Sequence, residues 1–440
     1  MTFLRPLFAR LRADRRGAAF MIFAFALVPL SFAVGMGIDY ARAMKAQTKL
    51  NAIADAAALS AVSKPVMPLN DATAAYVATT MFNTQAAPLL TASQIQITSL
   101  SASAPTDANG RRTATVTYTA TSHNLFSRLL GMGVLRIGGT SQTTNATAPN
   151  IDFYMLLDVS GSMALPTTTA GLAQIAASNS SQCQFACHSV NDIKGTDANG
   201  NQTDLYGVAK SYGLTLRIDD EGAAVSKLVS DAVSTSSKNG ATYRMGIASF
   251  RGDGGFQKLY DIADSRGLQG ASTVTTNLTP SLYWSNGCPT QACAKTDVGW
   301  NDQDTGSSDA FNNINTVIPT PGSGLNGAPA QATMFVITDG MRDEQRPGGR
   351  PEIAFDTTKC DMIKARGIRI AVLYTEYLPE SLANNPWSQA NVAPYLYQVE
   401  PALKACASPG LYTKVTTNQD IYTALDALFQ NAVATARISG

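Results

Sequence analysis

The sequence predicts an α/β protein in which residues 151–440 fold as a doubly wound parallel sheet. Short, continuous apolar runs alternate with helical patterns in this region. Such runs are typical of parallel strands buried on both faces, and alternation with helices predicts helices on both sides of the sheet. Before residue 150, an uncharged N-terminal stretch predicts a transmembrane helix that continues as a stalk, and an alternating β pattern predicts a small α+β module. The apolar runs are 153–157, 245–250, 334–337 and 368–373.

Composition excludes several classes of function. The 440 residues include 33 Lys and Arg against 32 Asp and Glu, and this balance argues against a nucleic-acid partner. The two histidines, His123 and His188, leave few candidate bases for Ser-His-Asp or Cys-His catalysis and exclude a His-rich metal site. We therefore expect a protein that binds no nucleic acid and is not an enzyme.

The N-terminal segment predicts a single membrane pass. Residues 18–38 carry no charge, and about 20 apolar residues suffice to cross a bilayer as a helix. Arginines precede this stretch, which predicts a cytoplasmic N-terminus and places the bulk of the chain outside the cytoplasm. These arginines are Arg5, Arg10, Arg12, Arg15 and Arg16.

Two forms of processing compete with an uncleaved anchor. A cleaved signal peptide has an apolar core of about 7–15 residues, which is shorter than the stretch present here. A pilin-type leader would be cleaved after Gly17, but Ile22 stands where a glutamate usually follows. We expect an uncleaved anchor that continues as a helical stalk from Tyr40 to Ser63, so that residues 1–64 form the first segment.

Residues 65–150 predict a small α+β module with a linker. A short helical pattern covers 72–82, and strand-like alternation covers 95–97 and 113–119, with another candidate strand at 134–137. The stretch 140–150 is rich in Thr, Ser, Asn and Pro, which favours a linker.

Two connections within residues 151–440 are long for a doubly wound sheet. Residues 164–217 and 251–304 both exceed the length at which a loop without secondary structure becomes unusual. Each holds a close cysteine pair, and we expect insertions that are stapled because they lack a core of their own. Six cysteines, all after residue 180, suit an oxidising compartment, and they allow 15 pairings. The close pairs are Cys183 with Cys187, and Cys288 with Cys293.

The motif that carries chemistry follows the first predicted parallel strand. Asp158, Ser160 and Ser162 alternate along a tight loop, so one carboxylate and two hydroxyls converge. Hard divalent cations take oxygen ligands of this kind, and Mg²⁺ is the expected ion, with Mn²⁺ or Ca²⁺ as alternatives. Asp339 follows a later strand at the same sheet edge and can approach the ion directly or through water.

This arrangement resembles the von Willebrand factor A (VWA) domain with its metal-ion-dependent adhesion site (MIDAS). That family combines Asp-x-Ser-x-Ser, a Thr before a helix, and Thr-Asp-Gly after a later strand. The first element is matched in full at residues 158–162, and Asp339 matches the last. The resemblance implies Thr305 as the middle ligand. The segment around Thr305 departs from the common Gly-x-Thr form, so Ser307 is the alternative candidate for the middle ligand.

The N-terminal region resembles a second family, the TadE/TadG-type proteins of tight-adherence (Flp) pilus machinery. The matching segments are Arg-Arg-Gly-Ala-Ala-Phe at 15–20, Asp-Tyr-Ala-Arg-Ala at 39–43, and 50–59. The TadG type carries a VWA domain after this anchor. The resemblance implies a bacterial inner-membrane protein with its bulk in the periplasm or on the surface. The resemblance extends to Cys360 and Cys406. We prefer a disulfide between these two cysteines, with local disulfides within the two insertions.

Three functions are compatible with these features. The first is a binding protein whose MIDAS ion grips an acidic side chain of a pilus or envelope partner. The second is a metal-dependent hydrolase, which needs a general base. Asp343 and Glu344 are the close acids after Asp339, and we expect them to be solvated loop charges. The third is a structural subunit in which residues 1–148 assemble like a pseudopilin.

Overall fold

The chain divides into two compact units, Met1–Thr147 and Ala148–Gly440. A computed structural model of the protein describes residues 16–93, 95–107, 110–184, 193–252, 255–276, 278–280, 304–325, 327–344, 353–378, 382 and 385–436.

The first unit combines two helices with a three-stranded antiparallel sheet in the order β1-β2-β3. A short 3₁₀ turn, Ser127–Leu130, joins β2 to β3. The elements are α1 (Arg16–Ala61), α2 (Asp71–Ser93), β1 (Ile95–Ser103), β2 (Arg111–His123) and β3 (Val134–Ala146).

Helix α1 has two halves of different character. Its first half is long and apolar enough to cross a membrane, with mean hydropathy 2.2 and nearly all side chains exposed. From Ala43 onward one face is buried at three- and four-residue spacing, which is the pattern of a helix packed along one stripe. This stripe, including Leu50 and Ala54, packs with α2 and the inner face of the sheet. The predicted stalk is thus part of the core of the first unit.

The predicted linker at 140–150 is wrong for most of its length. Residues 134–146 pair with 111–123 in continuous antiparallel register. Threonine is β-branched and suits a pleated surface, and threonine hydroxyls pair across the two strands. Thr113 lies 3.3 Å from Thr144 and Thr117 lies 3.1 Å from Thr140, measured between hydroxyl oxygens. A Thr-rich composition therefore marks an exposed strand here.

The second unit is built on a six-stranded sheet in the order β13-β12-β9-β4-β7-β8. Neighbouring strands are parallel except for the edge strand β8, which is antiparallel to β7. The strands and helices are β4 (Ile151–Asp158), α3 (Thr169–Ser178), β5 (Lys194–Thr196), β6 (Gln202–Asp204), α4 (Leu205–Ser211), α5 (Arg217–Asn239), β7 (Tyr243–Phe250), β8 (Gln257–Tyr260), α6 (Gly267–Gly270), α7 (Ser272–Thr275), α8 (Ser307–Val317), β9 (Gln331–Thr338), β10 (Met341–Arg342), β11 (Ile353–Ala354), α9 (Thr357–Lys364), β12 (Arg369–Thr375), α10 (Pro386–Asn391), α11 (Leu396–Cys406), β13 (Tyr412–Val415) and α12 (Ile421–Thr435).

Each face of this sheet is covered by its own helices, as a doubly wound fold requires. Along β4, Phe153 and Met155 join the core beneath α5 and α12. The intervening Tyr154 and Leu156 join the core beneath α8, α9 and α11. Alternate residues of one strand thus serve opposite cores, which explains why every position of β4 is buried. The predicted fold class is confirmed.

Both long connections differ from the expectation of coreless insertions. Residues 164–217 contain α3, the β5–β6 hairpin and α4, which enclose a small core of their own that includes Ile175, Val208 and Leu216. Residues 251–304 contain β8, so their first part belongs to the main sheet. The helices and strands in both stretches are short and contain no long apolar run, so they could not be recognised from the sequence pattern.

The cysteines of the second unit form at least one buried crosslink. A disulfide joins Cys360 on α9 to Cys406 at the end of α11, and both are fully buried in the core. This is the pairing favoured from the sequence. Cys183 is also disulfide-bonded. The candidates Cys187, Cys288 and Cys293 lie outside the described residues.

Candidate metal centre

The two predicted acidic residues meet at the carboxyl edge of adjacent strands. Asp158 ends β4, and Asp339 directly follows β9, which pairs with β4 through Leu157 and Ile337. The chain leaves β4 toward β7 on one side and later returns to β9 on the other. The site therefore lies at the switch point of the sheet, where open α/β folds bind ligands. Both carboxylates are fully buried.

The loop after β4 gathers three oxygen-bearing side chains. Asp158 Oδ1 accepts the backbone N–H of Ser160 at 3.0 Å. The hydroxyl oxygens of Ser160 and Ser162 lie 3.1 Å apart. A 3₁₀ turn, Gly161–Ala164, follows at once and bends the chain so that Ser162 returns toward Ser160. All three predicted ligands of this loop are buried and lie together.

Thr338 is a residue of the site that the sequence analysis did not single out. Its hydroxyl donates to Asp158 Oδ2 at 2.6 Å and accepts the backbone N–H of Gly340 at 3.0 Å. It thereby ties the end of β9 to the loop after β4. Both oxygens of Asp158 then accept a hydrogen bond, Oδ1 from Ser160 in that loop and Oδ2 from Thr338 on β9. The Thr-Asp-Gly sequence is the signal that could have identified it.

Asp339 is a buried carboxylate whose hydrogen-bonding capacity is not used within the described structure. Among the described residues, neither of its oxygens has a hydrogen-bond partner of standard geometry. Burial raises its pKa, whereas the charge of Arg217 and the nearby Ser162 hydroxyl oppose this rise. The Arg217 guanidinium lies 3.8 Å from Asp339 Oδ2 and donates to the Glu376 carbonyl at 2.6 Å. Sequence reasoning missed Arg217, since its position at the start of α5 carries no recognisable motif.

A second buried acid lies in the same electrostatic environment. Glu221 on α5 is fully buried, and within the described part of the chain its two carboxylate oxygens have no hydrogen-bond partner. Burial and the charge of Asp158 raise the pKa of Glu221 well above its usual range. Burial and the charge of Asp339 likewise raise the pKa of Asp158. Without a cation, this region favours neutral carboxyl groups.

The segment before α8 reaches the same loop. Asp304 Oδ1 accepts the N–H of Gly161 at 3.4 Å. Thr305 is buried and forms a two-residue bridge with Asp343, with backbone N–O distances of 3.3 and 3.1 Å. The structure therefore brings Thr305 to the region of the serine loop. It remains a predicted ligand.

The rival Ser307 has another role in this structure. Its hydroxyl donates to Glu344 Oε1 at 3.2 Å, and the N–H of Ser308 donates to the same oxygen at 2.6 Å. Glu344 thus caps the first turn of α8. Asp343 Oδ2 accepts the N–H of Asp304 at 3.2 Å. The expectation that Asp343 and Glu344 are solvated loop charges is wrong, because both are buried acceptors that hold this loop.

The donor set fits a hard divalent cation. Every candidate ligand atom is an oxygen, and among the described residues the two buried oxygens of Asp339 have no hydrogen-bond partner of standard geometry, with the Arg217 guanidinium 3.8 Å away. In the described ranges, no cluster of three or more His, Cys, Asp or Glu side chains is placed to hold a metal. A metal here therefore depends on the serine and threonine hydroxyls. Asp158, Ser160, Ser162 and Asp339 would hold it.

Gly340 allows the chain to turn immediately after Asp339. Its φ is +83°, and an added Cβ would lie 2.5 Å from Val399 and 2.7 Å from Leu403. We expect Gly340→Ala to lower the free energy of unfolding by roughly 2–4 kcal/mol, since left-handed backbone and overpacking both contribute. Gly213 also has a positive φ but open space around it, so Gly213→Ala should cost about 1 kcal/mol. Equal losses in denaturant unfolding of the two full-length variants would exclude the packing contribution.

The fold and the site define a mixed α/β domain with a parallel-rich sheet and a buried cluster of oxygen side chains at its carboxyl edge, preceded by an apolar helix. A family model described as "Putative Flp pilus-assembly TadE/G-like" matches residues 17–64, which contain most of α1. A search of curated proteins found no significant match.

Several solved structures show distant similarity. Proximal thread matrix protein 1 from the mussel byssus has 12% identity and a TM-score of 0.35, covering 65% of this chain and 48% of that one. Another structure of the same mussel protein, with a zinc-occupied MIDAS motif, has 11% identity and a TM-score of 0.32, covering 66% and 46%. An uncharacterised membrane-spanning protein from Vibrio fischeri has 12% identity and a TM-score of 0.15, covering 64% and 96%. The chain spans about half the length of the mussel structures.

Proposed function

We propose that this protein is a membrane-anchored VWA protein of the bacterial envelope that acts in Flp/Tad pilus assembly or adhesion. It grips an acidic group of a pilus or envelope partner through a divalent cation, with Mg²⁺ as the expected ion. The observation that carries the proposal is the buried carboxylate of Asp339 beside the Asp158 loop, whose oxygens have no hydrogen-bond partner of standard geometry among the described residues. The TadE/G-like segment at 17–64 supports the pilus context.

The residues of the site have distinct roles in this proposal. Asp158, Ser160 and Ser162 would bind the ion directly, and Thr305 would complete the set. Asp339 would bind directly or through water. The bound ion supplies a positive charge with a coordination position left for an outside carboxylate.

Low net charge around the ion maintains its attraction for a partner. In the metal-free protein the raised pKa of Glu221 favours its neutral form, and Arg217 offsets part of the charge of Asp339. Arg217 remains positive beside a bound ion, and its charge offsets part of the negative charge of the ligands, which leaves the ion more electrophilic. Arg217 also anchors to the Glu376 carbonyl, which keeps its guanidinium beside Asp339.

We propose binding rather than hydrolysis. A hydrolase needs a general base that can reach a water on the metal. The acids nearest to Asp339 in sequence, Asp343 and Glu344, each accept backbone N–H groups that hold the loop before α8. Metal-dependent turnover of an ester or phosphate that Asp158→Ala abolishes would favour the hydrolase instead.

The proposed location is the inner membrane, with the N-terminus in the cytoplasm and both folded units outside it. The arginines before residue 18 support this orientation through the positive-inside rule. Protease added to spheroplasts should digest the second unit and leave the N-terminal arginines protected. Protection of the second unit in sealed spheroplasts would reverse the orientation.

Partner binding should depend on the metal and on Asp158. Full-length protein in nanodiscs should bind purified pilin subunits or filaments in Mg²⁺, lose at least about tenfold in affinity in EDTA, and recover when Mg²⁺ is restored. Asp158→Ala should behave like EDTA treatment. The matched control is Asp361→Ala, which removes an exposed aspartate of the same unit and should bind normally. Binding that persists unchanged in EDTA contradicts the metal-mediated grip.

A further inference from the structure

The loop between β2 and β3 exposes an unusual amount of apolar surface. Within residues 124–133, here called the apolar loop, Leu125, Phe126, Leu129 and Met132 are 52%, 42%, 76% and 49% exposed. Single exposed apolar residues are ordinary, but a contiguous group marks an interaction site. The apolar loop therefore needs a partner.

The position of the apolar loop along α1 indicates which partner it meets. Phe126 packs against Gly35, where an added Cβ would lie 2.6 Å from the Phe126 Cβ. Gly35 lies three residues before Ile38, the end of the uncharged stretch predicted to cross the membrane. The apolar loop is thus level with the last turn of the membrane-spanning segment.

Asp39 fixes the loop at this level. Its carboxylate accepts the backbone N–H groups of Leu125, Phe126 and Ser127 at 2.8–3.0 Å, and the Ser127 hydroxyl at 2.9 Å. Four hydrogen bonds satisfy this buried charge and bind the start of the loop to the helix. The tip of the loop cannot move along α1 without breaking them.

The residues around the tip suit the boundary between lipid headgroups and acyl chains. Side chains of α1 that precede Gly35, such as Phe25 and Leu30, are exposed and apolar. The apolar loop therefore adjoins the apolar surface of this helix and enlarges it. Arg128 is exposed beside Leu129 and can direct its guanidinium to lipid phosphates while its stem stays in apolar surroundings.

We propose that the apolar loop inserts into the leaflet on the side of the folded units and forms a second membrane contact that holds the first unit against the bilayer. This inference rests on the proposed membrane anchoring by α1. Each large apolar side chain that leaves water for the bilayer interface stabilises this contact, so the exposed leucines and Phe126 together restrain the unit.

Quenching of introduced tryptophans by brominated phospholipids tests the insertion in full-length protein in nanodiscs. Leu129→Trp should add fluorescence that brominated lipid quenches strongly relative to the unmodified chain. Leu59→Trp is the matched control, because Leu59 is an exposed leucine on α1 roughly 30 Å beyond Ile38 along the helix axis. Its added fluorescence should not be quenched.

A third variant separates failure of this inference from failure of the membrane anchor. Phe25→Trp reports on α1 itself and should be quenched if the helix crosses the bilayer. Quenching at Phe25→Trp without quenching at Leu129→Trp would overturn the loop insertion and leave the anchor intact. Blue-shifted but unquenched emission from Leu129→Trp would also overturn it, by showing that protein covers the loop.

Detaching the loop from α1 provides an independent readout. Asp39→Ala removes all four hydrogen bonds to the loop. In the Leu129→Trp background it should reduce lipid quenching at the loop and leave quenching in the Phe25→Trp protein unchanged. Undiminished quenching at Leu129→Trp would show that Asp39 does not position the loop.

Discussion

Asp158→Ala will weaken binding of Mg²⁺ or Mn²⁺ at least 100-fold while the second unit stays folded. Removing a residue that only hydrogen-bonds to a metal ligand already lowers the metal affinity about 10–100-fold. Asp158 is proposed as a direct ligand, so its loss should have at least this effect. The fold survives because removing this carboxylate also removes its repulsion with Asp339, which offsets the lost hydrogen bonds from Ser160 and Thr338. Isothermal titration of the full-length protein measures the affinity.

Two further variants identify the middle ligand in the same titration. Thr305→Ala should weaken metal binding by about tenfold or more. Ser307→Ala should change it little, because the Ser307 hydroxyl already donates to Glu344. Asp361→Ala serves as the exposed-aspartate control. If Asp158→Ala binds Mg²⁺ as tightly as the unmodified chain, the ion lies elsewhere.

Removing the buried disulfide will lower the free energy of unfolding of the second unit by about 4 kcal/mol. Cys360 and Cys406 are 46 positions apart, so the bond restricts a long loop of the unfolded chain. The double variant Cys360→Ala with Cys406→Ala tests this by denaturant unfolding. Tryptophan fluorescence follows this unfolding, since all three tryptophans of the sequence come after residue 148.

A packing control separates the crosslink from the loss of buried volume. Ile363 is fully buried on the same helix as Cys360, and Ile363→Val should cost about 1 kcal/mol. A loss from the double cysteine variant no greater than that of Ile363→Val would show that the bond adds little beyond packing.

The parts of the structure that could be predicted depend on local pattern. Strand β4 is a continuous apolar run because its two faces serve two cores, and Asp158 ends it in a recognisable motif. The Thr-Asp-Gly sequence likewise marks the end of β9. Where one short segment carries both the secondary-structure signal and the chemistry, the sequence suffices.

The parts that could not be predicted depend on contacts distant in sequence. Arg217 is 122 positions from Asp339, by subtraction of their numbers, and only the tertiary fold brings the start of α5 close to the end of β9. Glu221 resembles any helical glutamate until its burial is known. The extension of β3 through Thr144 depends on pairing with β2, and composition alone pointed to a linker.

Anomalous diffraction from crystals of the full chain soaked in Mn²⁺ tests the proposed metal grip most directly. The expected result is one strong manganese peak within ligand distance of the oxygens of Asp158, Ser160 and Ser162, with Asp339 beside it. The contrary result is no peak at this edge of the sheet and the Arg217 guanidinium bonded to both oxygens of Asp339. In that case arginine, rather than a metal ion, would supply the positive charge that the buried carboxylate requires.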